Sequence, residues 1–330
     1  MYMKERLLLC DIAKGICIIL VVIGHYHPDN APDWYTIIHR FIYSFHMPFF
    51  IFTSGYIYNA TKRDIPYKAF VWKKIKRLVI PYISTSVIIV ALKFASQRFL
   101  YVENQVTALS FLEILYKPAA GYFLWFIWVL WWAFLIVPFF KTTKAKLLLF
   151  VLSLLLYAMP WDLGEYFCLN MFGRMFVFFV IGILSYEFKE MISKLAPFGL
   201  VIVAAFALSE IFYLFYPDFI NTAVLEFITS LLGIYVVYVI SKFIAKRSSS
   251  TSLLLQISAT SYVIYLLHTT FEGLAKGVID KIGWLASCNN DIVFSIDALI
   301  IIAMGVFGPF LLQKYILQKF STTRLLFGLK

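Results

Sequence analysis

The chain has 330 residues, of which 62% are hydrophobic and 14% are charged, and its formal net charge is +11. A soluble domain of this length cannot bury that much apolar surface, so the composition predicts an integral membrane protein. The positive charge would suggest a nucleic-acid-binding protein in a soluble chain, but the cytoplasmic loops of membrane proteins are basic in any case, so we expect no nucleic-acid partner. The sequence has no C-x-x-C motif and no Cys/His cluster, and we therefore expect no metal site.

Ten apolar segments follow one another along the chain and predict an all-α fold, a polytopic membrane bundle of about ten transmembrane helices. They cover residues 7–26, 36–58, 79–98, 121–140, 147–160, 166–186, 196–216, 220–241, 254–275 and 292–313. The fifth segment is short for a membrane span. Since these segments occupy most of the sequence, we expect one membrane-embedded domain over residues 1–330 and no separate soluble domain.

The basic residues between these segments predict the orientation. The loop after the second segment contains Lys62, Arg63, Lys68, Lys73, Lys74, Lys76 and Arg77. Positive residues concentrate in cytoplasmic loops, so this loop and both termini are expected to be cytoplasmic. If the fifth segment did not cross, the later basic segments would lie outside, so the charge pattern also favours ten spans.

The first segment carries Asp11, Lys14 and His25 among apolar residues. Charged groups inside a membrane helix cost about 2.5–3.5 kcal/mol each on insertion scales, so they need a partner or a function. Asp11 and Lys14 are three residues apart and are expected to pair on one helix face. Lys14 and His25 share a face and lie about 16 Å apart along the axis. His25 titrates near neutral pH and is a candidate general base, the alternative being a structural histidine at the interface.

The second segment places Arg40 near the outer face and His46 near the middle of the bilayer. His46 is either functional or hydrogen bonded to another helix. Pro48 has no backbone N–H and predicts a kink, which is tolerated at this depth only against protein or a water-filled cavity. Arg40 is a candidate substrate ligand, and Asp33 or a lipid phosphate are its alternative partners.

Two further candidates lie in later segments. His268, toward the outer half of the ninth segment, either functions or packs beside two tyrosines. Arg174 falls well inside the sixth segment, where a buried guanidinium needs an acceptor or an anionic ligand. The acceptors considered are Glu165, Glu210 and Glu226.

The basic loop ends in Lys73, Lys74 and Arg77, just before the third segment. Such residues commonly hold topology and touch anionic lipid. The alternative is a cytoplasmic site for a phosphate-rich cofactor, because lysine binds phosphate as a point charge and arginine with a planar fork.

Two pairs of residues are expected on the outer side of the membrane. Glu272 and Lys276 are four residues apart and are expected to form a surface ion pair. Cys168 and Cys288 could both lie outside the membrane, where a disulfide would be possible.

Five motifs occur in a fixed order along the chain. They are Asp11-x-x-Lys14-Gly15 with Gly24-His25, Phe45-His46-Met47-Pro48-Phe49-Phe50 with Ser54-Gly55-Tyr56, Lys76-Arg77-Leu78-Val79-Ile80-Pro81-Tyr82, Trp125-Phe126-Ile127, and Tyr265-Leu266-Leu267-His268. Together they resemble the bacterial acyltransferase 3 membrane family, over nearly the whole chain. The nearest type is the short, fucose O-acetylase-like one.

The resemblance implies a ten-helix O-acyltransferase that moves an acyl group, usually acetyl, from cytoplasmic acetyl-coenzyme A to a sugar hydroxyl. The basic–x10–His pair of the family maps onto Lys14 and His25, and its Arg-x-x-Arg pair onto Lys74 and Arg77. Lysine stands at both first positions, where many members have arginine. A lysine cannot make the bidentate phosphate contact of an arginine, which puts donor binding through Lys14 or Lys74 in doubt.

We therefore predict an O-acetyltransferase of the bacterial inner membrane that modifies a cell-surface or exported glycan, or a lipid-linked sugar precursor. The predicted catalytic residues are His25, Lys14, Asp11 and His46; the predicted donor-binding residues are Lys73, Lys74 and Arg77; and the predicted substrate-binding residues are Arg40, Arg174 and His268. Membrane lipids, and a separate extracytoplasmic protein that receives the acyl group, are the other partners considered. The competing interpretation is a transporter or flippase of a lipid-linked sugar or polysaccharide, which also needs polar groups in the membrane. The two halves of the sequence show no repeat, which disfavours it.

Overall fold

A computed structural model describes residues 2–29, 31–99, 104–159, 166–216, 221–246, 251–282 and 291–329. Within these ranges the chain is helical and has no strand, which confirms the all-α prediction. The α-helices are α1 (Tyr2–His25), α2 (Asp33–Tyr43), α3 (His46–Ala60), α4 (Tyr67–Lys74), α5 (Ile80–Ser96), α6 (Ser110–Glu113), α7 (Trp125–Ile136), α8 (Thr143–Ala158), α9 (Leu169–Glu187), α10 (Lys189–Ser193), α11 (Gly199–Phe215), α12 (Thr222–Ala245), α13 (Thr251–Ile282), α14 (Asp291–Leu312) and α15 (Ser321–Leu326).

Among the described residues, seven helical segments are long and apolar enough to cross a membrane. They are Leu8–His25, Tyr67–Ser96, Tyr122–Phe139, Tyr166–Glu187, Ala196–Phe215, Thr222–Ala245 and Asp291–Leu317. Each overlaps a segment that the sequence predicts to span the membrane. Tyr67–Ser96 begins twelve residues before the predicted segment 79–98, so part of the expected basic loop is helical.

The other three predicted spans are also helical but differ from a simple apolar span. The second is divided into α2 and α3, of 11 and 15 residues. The fifth, α8, has 16 residues, about 24 Å, which is less than the ~30 Å thickness of a bilayer core. The ninth, α13, has 32 residues whose apolar character is diluted by polar ones. The number ten and the cytoplasmic position of both termini stay predictions.

The chain divides into two compact units. Unit 1 comprises Met1–Thr53 and Phe188–Phe310, and unit 2 comprises Ser54–Glu187 and Leu311–Lys330. Each is described by itself below. The single domain over residues 1–330 stays a prediction.

Unit 1 is organised around α1. This helix packs along α13 and α12 and contacts α2, while α11 packs against α12 and α2. The most completely buried side chains of α1 are Ile12, Cys17, Ile18, Val21 and Val22. Because residues three and four apart share a helix face, His25 continues this buried stripe by one turn.

The break between α2 and α3 follows from Pro48, the third residue of α3. Proline has no N–H, so it cannot donate to the carbonyl four residues earlier, that of Ser44. Ser230 of α12 replaces this donor, and its hydroxyl donates to the Ser44 carbonyl at 2.7 Å. The predicted kink is therefore confirmed, and it lies one turn before the proline, next to His46.

Unit 2 packs α7 and α8 against α9, and α4 against α7. Gly55 of α3 allows a close approach to α9, because a Cβ atom at this position would lie 2.0 Å from the Phe179 carbonyl oxygen. Between α4 and α5 the helix continues as a π-helical turn, Ile75–Val79. Such turns are rare and often occur at functional sites.

A polar network joins the start of α8 to the end of α9 and to α3 in unit 2. Lys146 is 6% exposed and forms an ion pair with Glu187. The same ammonium donates to the Asn59 side-chain oxygen at 3.3 Å, and the Thr143 hydroxyl donates to Glu187 at 2.7 Å. A buried charge is stable only when it is paired and hydrogen bonded, so this network fixes the end of the α8–α9 hairpin.

Candidate functional site: a histidine cluster and a basic segment

His25, the last residue of α1, is half-buried and held by its own helix. Its Nδ1 lies 2.9 Å from the Val21 carbonyl oxygen. A carbonyl oxygen only accepts, so Nδ1 carries the proton. In this neutral tautomer the lone pair is on Nε2. A base that acts through Nε2 requires that tautomer.

Two aromatic rings lie next to this imidazole in unit 1, and one of them contacts a further histidine. The His268 ring of α13 packs edge-on against His25, with centroids 4.7 Å apart. The Tyr43 ring of α2 lies 6.2 Å from His25 and 4.7 Å from His46. We call His25, Tyr43, His46 and His268 the histidine cluster. It joins three residues that the sequence predicted separately.

The two other imidazoles of the cluster are fully buried. His46 Nδ1 lies 2.7 Å from the Ile42 carbonyl oxygen, and His268 Nδ1 lies 2.8 Å from that of Tyr265. By the same reasoning both rings carry their proton on Nδ1. His46 Nε2 has no hydrogen-bond partner among the described residues, which is unusual for a buried polar atom. The cluster thus presents imidazole lone pairs inside an otherwise apolar bundle.

Asp11 and Lys14 form the predicted ion pair, with the ammonium 2.7 Å from a carboxylate oxygen. Both side chains remain partly exposed. Lys14 lies eleven residues before His25 on α1, about 16 Å along the axis. The predicted part of the pair in catalysis stays a prediction.

Arg40 of α2 is exposed and donates to the Tyr213 carbonyl oxygen at 3.0 Å, while its guanidinium lies 6.0 Å from the Tyr213 ring. The observed partner is thus Tyr213 and not Asp33, while contact with a lipid phosphate stays a prediction. Its predicted role as a substrate ligand stays a prediction.

The basic segment Lys73–Arg77 belongs to unit 2 and spans the junction of α4 with the π-helical turn. Lys73 and Arg77 are exposed, whereas Lys74 is half-buried with its ammonium 3.2 Å from the centroid of the Phe134 ring. A cation over an aromatic face is stabilised by the ring quadrupole, so Lys74 already has an interaction within the protein. Of the three predicted donor ligands, Lys73 and Arg77 are the ones presented at the surface.

The expectation of a buried Arg174 is wrong, because its side chain is exposed on α9 in unit 2. The sixth segment is apolar enough to be a span, but Arg174 stands at an exposed position of α9 among the described residues. Glu210, considered as its acceptor, accepts a hydrogen bond from the Ser44 hydroxyl at 2.5 Å in unit 1. Glu165 lies outside the described residues. Whether Arg174 binds substrate stays a prediction.

The expected surface pair of Glu272 with Lys276 is also wrong. Lys276 is exposed, but Glu272 is only 6% exposed. The spacing of Glu272 from His268 is the informative one, because Glu272 follows His268 by four residues and shares its helix face. Cys288, considered as a disulfide partner of Cys168, lies outside the described residues.

The imidazoles in unit 1 indicate what chemistry this membrane bundle can perform. A multi-pass helical bundle with a half-buried imidazole, oriented by a carbonyl and packed against a second, buried imidazole, is suited to accept a proton from a hydroxyl group. The chain belongs to the acyltransferase 3 family: the family described as an acyltransferase domain matches residues 10–314.

Two curated relatives share part of this region. The chain is 32% identical over 137 residues to the nodulation protein NolL of Sinorhizobium fredii, covering 39% of this chain and 35% of that protein. It is 29% identical over 156 residues to the nodulation protein NolL of Mesorhizobium japonicum, covering 46% of this chain and 40% of that protein. The chain thus spans well under half the length of these relatives. No solved structure matches the chain.

Proposed function

We propose that the protein is a membrane O-acyltransferase of the inner membrane, with acetyl-coenzyme A as donor and a glycan or lipid-linked sugar hydroxyl as acceptor. Membership of the acyltransferase family supports the reaction class. The seven apolar helices support a multi-pass membrane protein. The observation that carries the proposal is the orientation of His25, whose Nδ1 donates to the Val21 carbonyl and leaves the lone pair on Nε2.

In the proposed reaction His25 Nε2 takes the proton of the acceptor hydroxyl, and the hydroxyl oxygen attacks the thioester carbonyl carbon. The carbon–sulfur bond then breaks, the thiolate leaves, and it takes up a proton to give the free thiol. The products are an ester on the acceptor and free coenzyme A, so atoms and protons balance. General-base catalysis of this kind typically contributes about 10²–10⁴-fold.

The remaining residues have supporting roles in the proposal. Lys73 and Arg77 bind the donor phosphates from the surface of unit 2, with Lys74 between them. Lys14, held by Asp11, supplies a positive charge along the first helix. His46, with a buried Nε2 that has no partner among the described residues, polarises or positions a reactant. Arg40, Arg174 and His268 contact the acceptor or the donor.

The test is release of free thiol from acetyl-coenzyme A by purified protein in the presence and absence of a sugar acceptor. We expect release that depends on the acceptor, and alkali-labile acetate on the product. A transporter or flippase would move a sugar without releasing thiol. Thiol release that is the same with and without every acceptor tried, or no release at all, contradicts the proposal.

The role of His25 is tested with His25→Ala, which should lower acceptor-dependent thiol release by about 10²–10⁴-fold. The matched control is His27→Ala, because His27 is an exposed histidine two residues later, outside the histidine cluster. Its Nε2 lies 3.2 Å from the Thr36 hydroxyl and its ring contacts His39. Wild-type activity in His25→Ala at normal protein abundance would remove His25 from the mechanism.

A further inference from the structure

The exposed face of α4 in unit 2 carries an open groove to which the proposed function assigns no ligand. The groove has a volume of about 410 Å³ and is lined by Tyr67, Lys68, Val71, Trp72 and Ile75. Small ligands in proteins occupy clefts of about 300–1,000 Å³. The Trp72 side chain is 55% exposed, which leaves a large aromatic surface open in a helix rich in charged residues. The groove, which we call the α4 groove, is therefore large enough for a ligand that stacks on an indole ring.

The spacing of three residues places positive charge on both sides of this ring. Lys68, Trp72 and Lys76 are four residues apart from one another and form one row along the helix. The Lys76 ammonium lies 5.4 Å from the centroid of the Trp72 ring, so the row continues from α4 into the π-helical turn. Both lysines are exposed. A planar ligand on Trp72 would thus have an ammonium group within reach at either end, which suits a ligand that carries phosphates.

The α4 groove is held in place by contacts with α7. The Tyr67 hydroxyl donates to the Leu135 carbonyl oxygen at 3.1 Å, and the Tyr67 ring lies 5.0 Å from that of Phe139, just after α7. At the other end of α4, Lys74 lies over the Phe134 ring. A groove whose walls are already fixed loses little conformational freedom when a ligand binds.

The α4 groove lies at the polar end of a helical segment that is longer than a membrane span. Tyr67–Ser96 has 30 residues, about 45 Å, which exceeds the ~30 Å core of a bilayer by about 15 Å or ten residues. Residues 67–79 contain five basic residues and no acidic one, so the excess length is expected at this end, on the cytoplasmic side. Trp72 falls within the first ten residues of the segment, which favours contact with a cytoplasmic ligand over an anchoring contact with lipid.

We propose that the α4 groove binds the adenine ring of coenzyme A and that Trp72 is its stacking partner. The proposal rests on the proposed function, which gives the protein this donor and places its phosphates at Lys73 and Arg77. Lys73 follows Trp72 directly in the chain, so a base on Trp72 and a phosphate on Lys73 are neighbours. Adenine is planar and stacks on aromatic side chains, and its ribose carries the phosphates that Lys68 and Lys76 would meet. Trp72 thereby determines specificity for the nucleotide end of the donor.

Calorimetric titration of the purified protein tests this site without activity. Coenzyme A contains the adenine nucleotide, and 4′-phosphopantetheine is the part of the molecule without it. In Trp72→Leu we expect the Kd of coenzyme A to rise by about 5- to 150-fold, the range for the loss of one stacked base. The Kd of adenosine 3′,5′-bisphosphate should rise by a similar factor and that of 4′-phosphopantetheine should not change. Trp72→Phe keeps an aromatic face and should recover most of the affinity for coenzyme A.

The matched control is Trp34→Leu, because Trp34 is also an exposed tryptophan, on α2 in unit 1. It should leave all three dissociation constants unchanged. An unchanged Kd for coenzyme A in a Trp72→Leu protein with wild-type thermal unfolding overturns the proposal, and Trp72 would then be an interfacial residue against lipid. An equal rise for coenzyme A and 4′-phosphopantetheine also overturns it, since the loss would not depend on the base.

One comparison needs no variant and holds even if Trp72→Leu does not fold. Wild-type protein should bind adenosine 3′,5′-bisphosphate more tightly than inorganic pyrophosphate, because only the former has a base to stack on Trp72. Equal affinities for the two would contradict the adenine site.

The thiol-release assay separates this proposal from the proposed function. If wild-type protein releases thiol with an acceptor, Trp72→Leu should raise the KM for acetyl-coenzyme A by the same factor as the Kd and leave the maximal rate unchanged. Acceptor-dependent release with an unchanged donor KM removes the adenine site alone. If coenzyme A binding depends on Trp72 but no acceptor gives thiol release, the nucleotide site stands and the proposed function fails. Wild-type protein that does not bind coenzyme A overturns both.

Discussion

At the scale of single residues, the structure separates side chains that the sequence treats alike. Lys73, Lys74 and Arg77 are three basic residues in a short segment, yet only Lys74 turns toward the protein and lies over Phe134. The sequence shows the charge of each side chain but not the ring that it meets. Phe134 is 60 residues farther along the chain, so no local pattern could have indicated the contact.

The exposed position of Arg77 leads to a prediction for donor binding. Arg77→Ala should raise the KM for acetyl-coenzyme A by about 10- to 100-fold, because a hydrogen bond between charged groups contributes about 1.5–3 kcal/mol. The acceptor KM should not change. Initial rates at varied donor concentration measure the effect.

Lys144→Ala is the matched control, since it removes an exposed positive charge elsewhere in unit 2. If both variants change the donor KM equally, the effect is one of net charge and the assignment of Arg77 is wrong.

At the scale of elements, the break between α2 and α3 is caused by a nearby proline and stabilised by a residue far away in the sequence. Pro48 predicts from the sequence that the helix is interrupted. That Ser230 of α12 satisfies the Ser44 carbonyl could not be predicted, because the two residues are 186 positions apart. The interruption is thus a local property, and its stabilisation is a tertiary one.

Ser230→Ala should therefore destabilise the protein by about 1–3 kcal/mol, because it leaves the Ser44 carbonyl oxygen without this donor in a buried place. Thermal unfolding in detergent measures the change as a lower Tm.

Ser241→Ala is a close control on the same helix. Ser241 is equally buried, but its hydroxyl donates to the Val237 carbonyl one turn earlier, so its loss leaves no distant group without a donor. A Tm that falls as much in Ser241→Ala as in Ser230→Ala would show that the interhelical bond contributes nothing.

Helix α13 shows why periodicity alone led to the wrong expectation for Glu272. With Lys276 four residues after it and His268 four residues before it, the sequence allowed two partners on one helix face. The choice depends on which side of α13 is covered, and α1 and α14 cover the side that carries Glu272. Burial, which is a property of the packed bundle, decided against the surface pair.

At the scale of the whole molecule, membrane topology depends on α8, the shortest of the predicted spans. In unit 2 the start of α8 and the end of α9 lie at the same end of their hairpin, since Lys146 and Thr143 both contact Glu187. If both helices cross, the chain therefore continues on the side from which α8 began, as the basic loops predict. That both cross stays a prediction.

Single cysteines on a background without the native ones test this topology with a membrane-impermeant maleimide. Asp29→Cys should be labelled in intact cells, whereas Arg63→Cys and Ser193→Cys should react only after permeabilisation. All three positions are exposed in the structure. Labelling of Ser193→Cys in intact cells would mean that α8 or another predicted span does not cross.

The sequence by itself determined what depends on local composition and spacing. Hydropathy predicted the apolar segments, and the proline predicted the broken second span. The Asp11–Lys14 pair follows because side chains three residues apart are neighbours on a helix. The motif order was enough to indicate the family.

The tertiary structure decided what depends on contacts between distant segments. It brought His25, Tyr43, His46 and His268 into one cluster, placed Lys74 over Phe134, exposed Arg174, and buried Glu272 against Gly305. The physical reason is that in an apolar bundle almost every helix face has a similar hydropathy, so the sequence does not show which face is covered. Only the packing of one helix on another fixes that, and with it the environment of each polar side chain.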